Sequence, residues 1–364
     1  MSPRPIPPIR LPRRPAGERN TSRTARIPAD RAEGVHRVGM AVGRRALRLR
    51  RIPAAAQGRS TVRVAGRKWV ERSGVSRHPG AVTVQLHPSP SAFEPVAGAV
   101  YRADPVLFTN ELTALRTSPW PAGQVLLSVS DESTPVGAAV QMRGSVLLVS
   151  GLPPHVAAAA ACELVEVQPA LPEVRGTPEA TMAFAQAWQS VTDIRVIPGT
   201  TDVLYRLGEL TPPVGVSGDW RPAHDEDTDL LSAWLDAFYV EAFGSEPDID
   251  AARVGLQAIY DAGGQILVWT AAGVPVCMAR VHACIDGMAR IGPVYTPPEH
   301  RGHGYAAALT SVASRAALDR GVRDVVLLAD AANPVSNRVY QRIGFAAVAE
   351  NVRYQFTPMA DAAR

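Results

Sequence analysis

The stretch RGHGYA, Arg301 to Ala306, constrains this chain more than any other. It follows the strand-like run MARIGPVYT and the turn PPEH, and it leads into AALTSVASRAAL, small and apolar residues at helical spacing. A strand that enters a helix this way leaves several backbone N–H groups without intrahelical partners, where the helix dipole concentrates positive charge. Gly302 and Gly304 carry no Cβ, so a bulky anion can approach those groups, and Arg301 adds a positive charge beside them. The stretch reads as a phosphate-binding turn. A Walker A loop is excluded, because that loop needs a lysine and the sole lysine of the chain is Lys68. A dinucleotide fingerprint fits poorly: alanine stands at its third glycine, and three antiparallel-looking strands precede the turn.

The surrounding elements follow from periodicity and punctuation. DEDTDLLSAWLDAFYVEAF starts acidic and places Leu231, Trp234, Leu235 and Phe238 on one helical stripe. DIDAARVGLQAIYDAGG is a second helix, ended by a glycine pair. QILVWTAAG, VPVCMARVHAC and MARIGPVYT read as strands. After the glycine turn and its helix come the buried strand VRDVVLLAD, a helix opened by Asn333 and Pro334, and the strand AAVAENVRYQF. The predicted order from about residue 213 is α-α-β-β-β-α-β-α-β, a mixed α/β (α+β) sheet.

On these residues the chain resembles the GNAT (GCN5-related N-acetyltransferase) superfamily. RGHGYA is similar to its Q/R-x-x-G-x-G/A signature, and NPVSNRVYQRIGF, with Asn333, Ser336, Tyr340, Gly344 and Phe345, is similar to its second signature. The resemblance spans roughly residues 213–356 and implies the acyl-CoA N-acyltransferase fold. It implies acetyl-CoA as co-substrate, with the pyrophosphate on the backbone N–H groups of Arg301, Gly302, His303, Gly304, Tyr305 and Ala306. The pantetheine arm would lie along Pro293, Val294, Tyr295 and Thr296, in a gap where this strand splays from LLAD. The implied reaction is direct attack of a primary amine on the thioester in a ternary complex. Val294 N–H would polarise the carbonyl, Tyr340 would act as the acid for the leaving thiolate, and Asn333 and Asn337 would contact the carrier. No metal is implied. The general base stays open among Glu299, Glu241, His282, Asp330 and water, and His303 reads as a solvent-facing filler. The alternative reading is a non-catalytic, acyl-CoA-binding regulatory module of the same fold.

Residues 82–212 lack both signatures yet echo the element order. Where the glycine turn should be stands GLPPHVAAA, and Pro153 and Pro154 have no N–H to offer a phosphate. This half reads as a degenerate tandem copy, with residues 213–364 as the catalytic domain and GELTPPVGVSGDW as the linker.

Charge divides the chain further. The net charge of +4 combines an N-terminal segment, residues 1–80, holding 20 of the 38 Lys+Arg and four acids, with a remainder that is acidic overall. Residues 1–81 are expected to be a disordered basic tail, Pro-rich and without apolar period, and the annotated start to lie too far upstream. Trp69 is its one aromatic residue, so base stacking has little to work with and no nucleic-acid partner is expected. No apolar stretch reaches the ~20 residues of a membrane span, and no secretory leader is expected. Cys162, Cys277 and Cys284 have no metal-ligand spacing and fit reduced thiols in a cytoplasmic protein, monomeric or homodimeric, acting on a small-molecule or peptide amine.

Overall fold

A computed structural model of the chain describes residues 75–77, 82–116, 124–141 and 146–359. Most of the expected disordered tail lies outside the described residues. Val75–Arg77, within the range assigned to that tail, instead form a strand, because they pair antiparallel with the strand that follows.

The first half runs β1 (Val75–Arg77), β2 (Val82–Leu86), α1 (Pro90–Tyr101), α2 (Thr109–Leu115), β3 (Val125–Asp131), β4 (Thr134–Gln141), β5 (Leu147–Leu148), α3 (Ala157–Val167), β6 (Glu173–Gly176), α4 (Pro178–Val191) and β7 (Ile194–Leu207). The second runs β8 (Asp219–Pro222), α5 (Thr228–Phe243), α6 (Ile249–Asp261), β9 (Gln265–Ala271), β10 (Val274–Val281), β11 (Met288–Tyr295), α7 (Tyr305–Leu318), β12 (Asp324–Asp330), α8 (Pro334–Arg342) and β13 (Phe345–Pro358). The order expected from the sequence is present in both, with β1 and β2 added at the start of the first and β8 at the start of the second. Asp219–Pro222, read as the end of a linker, is a strand, because it completes the edge of β9 from Asp219↔Thr270 to Pro222↔Leu267.

Local chemistry explains the elements. The β9–β10 hairpin turns through Ala272 and Gly273, both at positive φ (50° and 81°), the geometry that matches strand twist in a two-residue turn. Ser89, Asp248 and Asn333 each accept a backbone N–H through the side chain at a helix start. Period-two alternation sorts β9 and β10 into two faces: Leu267, Trp269, Cys277, Ala279 and Val281 pack toward α7, while Ile266, Val268 and Met278 pack toward α5 and α6.

Among the described residues, thirteen strands form one sheet, in the order β1-β2-β3-β4-β5-β6-β13-β7-β12-β11-β10-β9-β8. β5 with β6 and β11 with β12 are parallel pairs; the other neighbours are antiparallel. The two halves exchange their last strands. β7 inserts beside β12 of the second half, β13 inserts beside β6 of the first, and the two pair with each other from Phe345↔Leu207 to Pro358↔Ile194. No described helix is long and apolar enough to cross a membrane.

Candidate active site

The glycine turn has the form the sequence predicts, with one reason added. Gly302 and Gly304 both have positive φ, 83° and 81°, which L side chains rarely adopt, so glycine is required by the backbone as well as by space. A Cβ built on Gly302 would meet nothing within 4 Å, whereas one on Gly304 would press on Val216 at 3.2 Å. The first α7 bond of this turn runs from Ala308 N–H to Gly304 O. Among the described residues the N–H groups of Gly302, His303, Gly304, Tyr305 and Ala306 donate no hydrogen bond, which leaves five donors at one helix start. The N–H of Arg301, expected among them, is already given to Pro298 O at 3.3 Å.

The Arg301 side chain also points elsewhere. Its Nε donates to Thr296 O at 2.9 Å, one terminal nitrogen reaches Glu241 Oε2 at 2.6 Å, and the guanidinium lies over the Tyr295 ring at 5.9 Å. The pair is half-exposed, so it contributes little to stability. It does bridge α5 to the turn, and it occupies Glu241, one of the candidate bases. His303 is exposed and stacks on Tyr305 with centroids 5.4 Å apart.

β11 and β12 pair in parallel through Met288↔Asp324 to Ile291↔Leu327 and no further. Beyond that point Val294 and Tyr295 pair with Ala279 and Met278 of β10, while Leu328 to Asp330 pair with β7. A gap therefore opens between the two strand ends, and the glycine turn begins at Arg301, six residues past the end of β11 at Tyr295.

Tyr340 of α8 is buried on the α7 side of the sheet, between Tyr205 and Phe345, whose ring centroids lie 6.4 Å and 6.3 Å away. Its hydroxyl has no hydrogen-bond partner among the described residues. Burial holds its pKa above the ordinary phenol value, with the Cys277 thiol adding to the effect. Burial likewise pushes the Cys277 thiol up to about 12. Asn333 caps α8 by accepting from Ser336 N–H at 3.0 Å. Asn337 is committed inward: its amide donates to Asp330 O and Asn333 O, and its carbonyl accepts from the Tyr205 hydroxyl at 3.0 Å.

Tyr205 is a member of this group that the sequence reading did not single out. It reaches the site because β7, from the first half of the chain, lies against β12. Its one sequence signal, a tyrosine in the alternating run DVLYRL, names no partner.

His282 is buried next to Arg290 and close to Gly292 O. Burial, then Arg290 and Arg280, hold its pKa well below 6.5, so the ring is neutral. The 3.0 Å contact fixes Nε2–H as donor to Gly292 O, and the same nitrogen cannot then accept from Arg290 Nε at 3.4 Å. A ring so reluctant to take a proton is a weak base. Asp330 accepts from Ala332 N–H at the exposed end of β12, and Glu299 sits in the turn before Arg301. Among the described residues no group of three or more His, Cys, Asp or Glu is placed to hold a metal.

A mixed sheet with a splayed parallel pair, a glycine turn of open N–H groups and a buried tyrosine on one side of the sheet make up the candidate site. Comparison with known proteins places this arrangement among similar chains. Residues 228–345 match the profile described as the acetyltransferase (GNAT) family. A GNAT-family acetyltransferase from Colwellia psychrerythraea superposes with a TM-score of 0.53 at 11% identity, over 75% of this chain and 99% of its own. A GCN5-related N-acetyltransferase from Sphaerobacter thermophilus does so with 0.54 at 19% identity, over 76% and 96%. Among curated proteins, the mycothiol acetyltransferase of Catenulispora acidiphila is 30% identical over 159 residues, 40% of this chain and 48% of the relative. That of Salinispora tropica is 33% identical over 150 residues, 37% and 46%. The chain thus spans about half the length of the curated relatives it matches. The chain is thus similar to GNAT-family proteins over residues 228–345 and shares their fold with the two solved structures.

Proposed function

We propose that this chain is an acyl-CoA-dependent N-acyltransferase that moves an acyl group, acetyl in the first instance, to a primary amine by direct attack in a ternary complex. The observation that carries the proposal is the set of five unpartnered N–H groups from Gly302 to Ala306, at a helix start beside a splayed strand pair, with open space beside Gly302. An anionic diphosphate suits such a cradle better than any neutral ligand, because the dipole and the donors act together.

When bound, the acyl-CoA supplies an activated thioester and a thiolate leaving group. The chain's own residues do the rest. Gly302 to Ala306 would hold the diphosphate, and the edge of β11 at Val294, Tyr295 and Thr296 would hold the pantetheine arm in the manner of an added strand. Val294 N–H would stabilise negative charge developing on the carbonyl oxygen. Tyr340 stays protonated at neutral pH, since burial raises its pKa. A proton moving from such a phenol to a thiolate (thiol pKa about 8.5) travels uphill. Tyr340 therefore serves as a hydrogen-bond donor to the departing sulfur, which leaves as the thiolate while water or a nearby base takes the proton released by the amine. In this reading Asn333 contacts the carrier from α8, and Asn337 supports the site through Tyr205 and the backbone.

The same reading makes residues 82–212 a degenerate tandem copy of the fold and residues 213–364 the catalytic copy, in a cytoplasmic protein. The test is calorimetry of the full chain with coenzyme A and acetyl-CoA, followed by a free-thiol assay over a panel of amines. No heat of binding for either carrier would remove the proposal.

A further inference from the structure

Arg280 and Arg290 lie on the sheet face away from α7. Arg280 shares a face with Met278, which packs under α5 and α6, and Arg290 shares one with Met288, which accepts from the Thr109 hydroxyl of α2. Arg280 is unusual. It forms no ion pair or hydrogen bond among the described residues, and its Nε is buried without an acceptor. Arg290 donates to the neutral Asn110 Oδ1 and sits against the neutral His282.

The carboxylate near this pair acts on Arg290, and none acts on Arg280. Arg175 of β6 is nearby but has its own carboxylate, Asp202, at 2.6 Å. Glu111 of α2 is fully buried and acts on Arg290 but not on Arg280; its Oε1 accepts from Ser150 N–H at 3.2 Å, and burial pushes its pKa up. Tyr239 of α5 is the other titratable group felt by both arginines. Burial, and the arginines' mutual repulsion at Arg290, lower their pKa values to about 10 at Arg280 and about 9 at Arg290, so both remain cations at neutral pH.

A buried guanidinium without a counterion is costly, and chains keep such groups where a ligand supplies the missing charge. Both residues are half-buried rather than sealed in the core, with Arg290 the deeper of the two. The neighbouring strand offers room: a Cβ built on Gly292 would meet nothing within 4 Å, and Gly292 follows the last residue of β11 paired with β12. The pair therefore sits where the gap opens, on the face opposite Tyr340.

We propose that Arg280 and Arg290 form an anion-binding subsite for the acceptor, so that the amine acylated here carries a carboxylate, as α-amino acids do. This rests on the acyltransferase reading for the fate of the amine, while the binding claim stands on the arginine pair. A planar carboxylate matches the fork of a guanidinium, and the cation pair would fix the acceptor while its amine faces the strand gap.

Calorimetric titration of the full chain, with and without coenzyme A, should use a panel of α-amino acids, the amines formed by their decarboxylation, and phosphoethanolamine. The expected result is that at least one amino acid binds at least tenfold more tightly than its decarboxylated counterpart. R280Q should erase that ratio while leaving the melting temperature and coenzyme A affinity unchanged. R290K, which keeps the charge, should retain part of the ratio. The proposal is overturned if no amino acid binds, if acid and amine bind equally, if R280Q keeps the ratio, or if phosphoethanolamine is preferred. Loss of coenzyme A binding by the unaltered chain would instead sink the acyltransferase reading, and the carboxylate ratio is read without it.

Discussion

Two turns in this molecule occupy corresponding places, one before α3 and one before α7, and they have opposite chemistry. Before α7 the chain offers Gly302 and Gly304 at positive φ, open space above Gly302, and five free N–H groups. Before α3 it offers Pro153 and Pro154, a 3-10 turn over Pro154–Val156, and Val156 N–H already bonded to Pro153 O. The space is closed there as well. A Cβ on Gly151 would lie 2.6 Å from the Tyr101 ring and 2.7 Å from Ala138 O. The element order is shared, but one turn keeps free donors and open volume and the other is filled by the protein's own packing. Fold alone does not make a site; backbone donors and unfilled volume do.

The sharpest way to break this comparison is G304D. It places a carboxylate among the free donors, strains a residue at positive φ and crowds Val216, so coenzyme A affinity should fall by more than about 100-fold. Calorimetry checks it, and the wild-type stoichiometry should be one carrier per chain; two would mean that the proline turn also binds. Next comes Y340F, expected to lower kcat by about 100-fold while coenzyme A affinity holds. Unchanged turnover would move the proton donor elsewhere. Smaller still is N333A, which removes a side-chain cap and should cost about 1 kcal/mol of stability, read in a denaturant melt. Smallest is a count of thiols. With its pKa pushed to about 12 and its side chain buried, Cys277 is protonated at pH 8, whereas Cys162 and Cys284 are exposed. A thiol reagent on the native chain at pH 8 should therefore modify two cysteines, and a third only after unfolding.

The second half of the chain was largely legible because its elements announce themselves locally. Apolar stripes, glycine stops and the Asn333–Pro334 start each act within a few residues. What escaped was non-local. β8 is four residues long and follows a Pro- and Gly-rich stretch, so only its partner β9 identifies it. β7 was visible from Asp202 onward, but Pro198 and Gly199 hid its first part, and nothing in its pattern says that it pairs with β12 and β13. Tyr205 was missed for that reason. Arg280 and His282 did leave a trace: they alternate with Ala279 and Val281 in a central strand, which puts two basic groups on one covered face. The glycine turn and Tyr340 were readable as motif positions, whereas the inward commitment of Asn337 and the Arg301–Glu241 pair required coordinates.

The exchanged final strands carry a consequence for anyone dissecting the molecule. A fragment starting at residue 213 would keep the glycine turn and Tyr340 yet expose one long edge of β12, because the neighbour it is built to hold belongs upstream. Such a fragment would be prone to self-association along that open border, and co-expressing both pieces, each lending its terminal ribbon to the other, is the route by which a divided version could regain its shape.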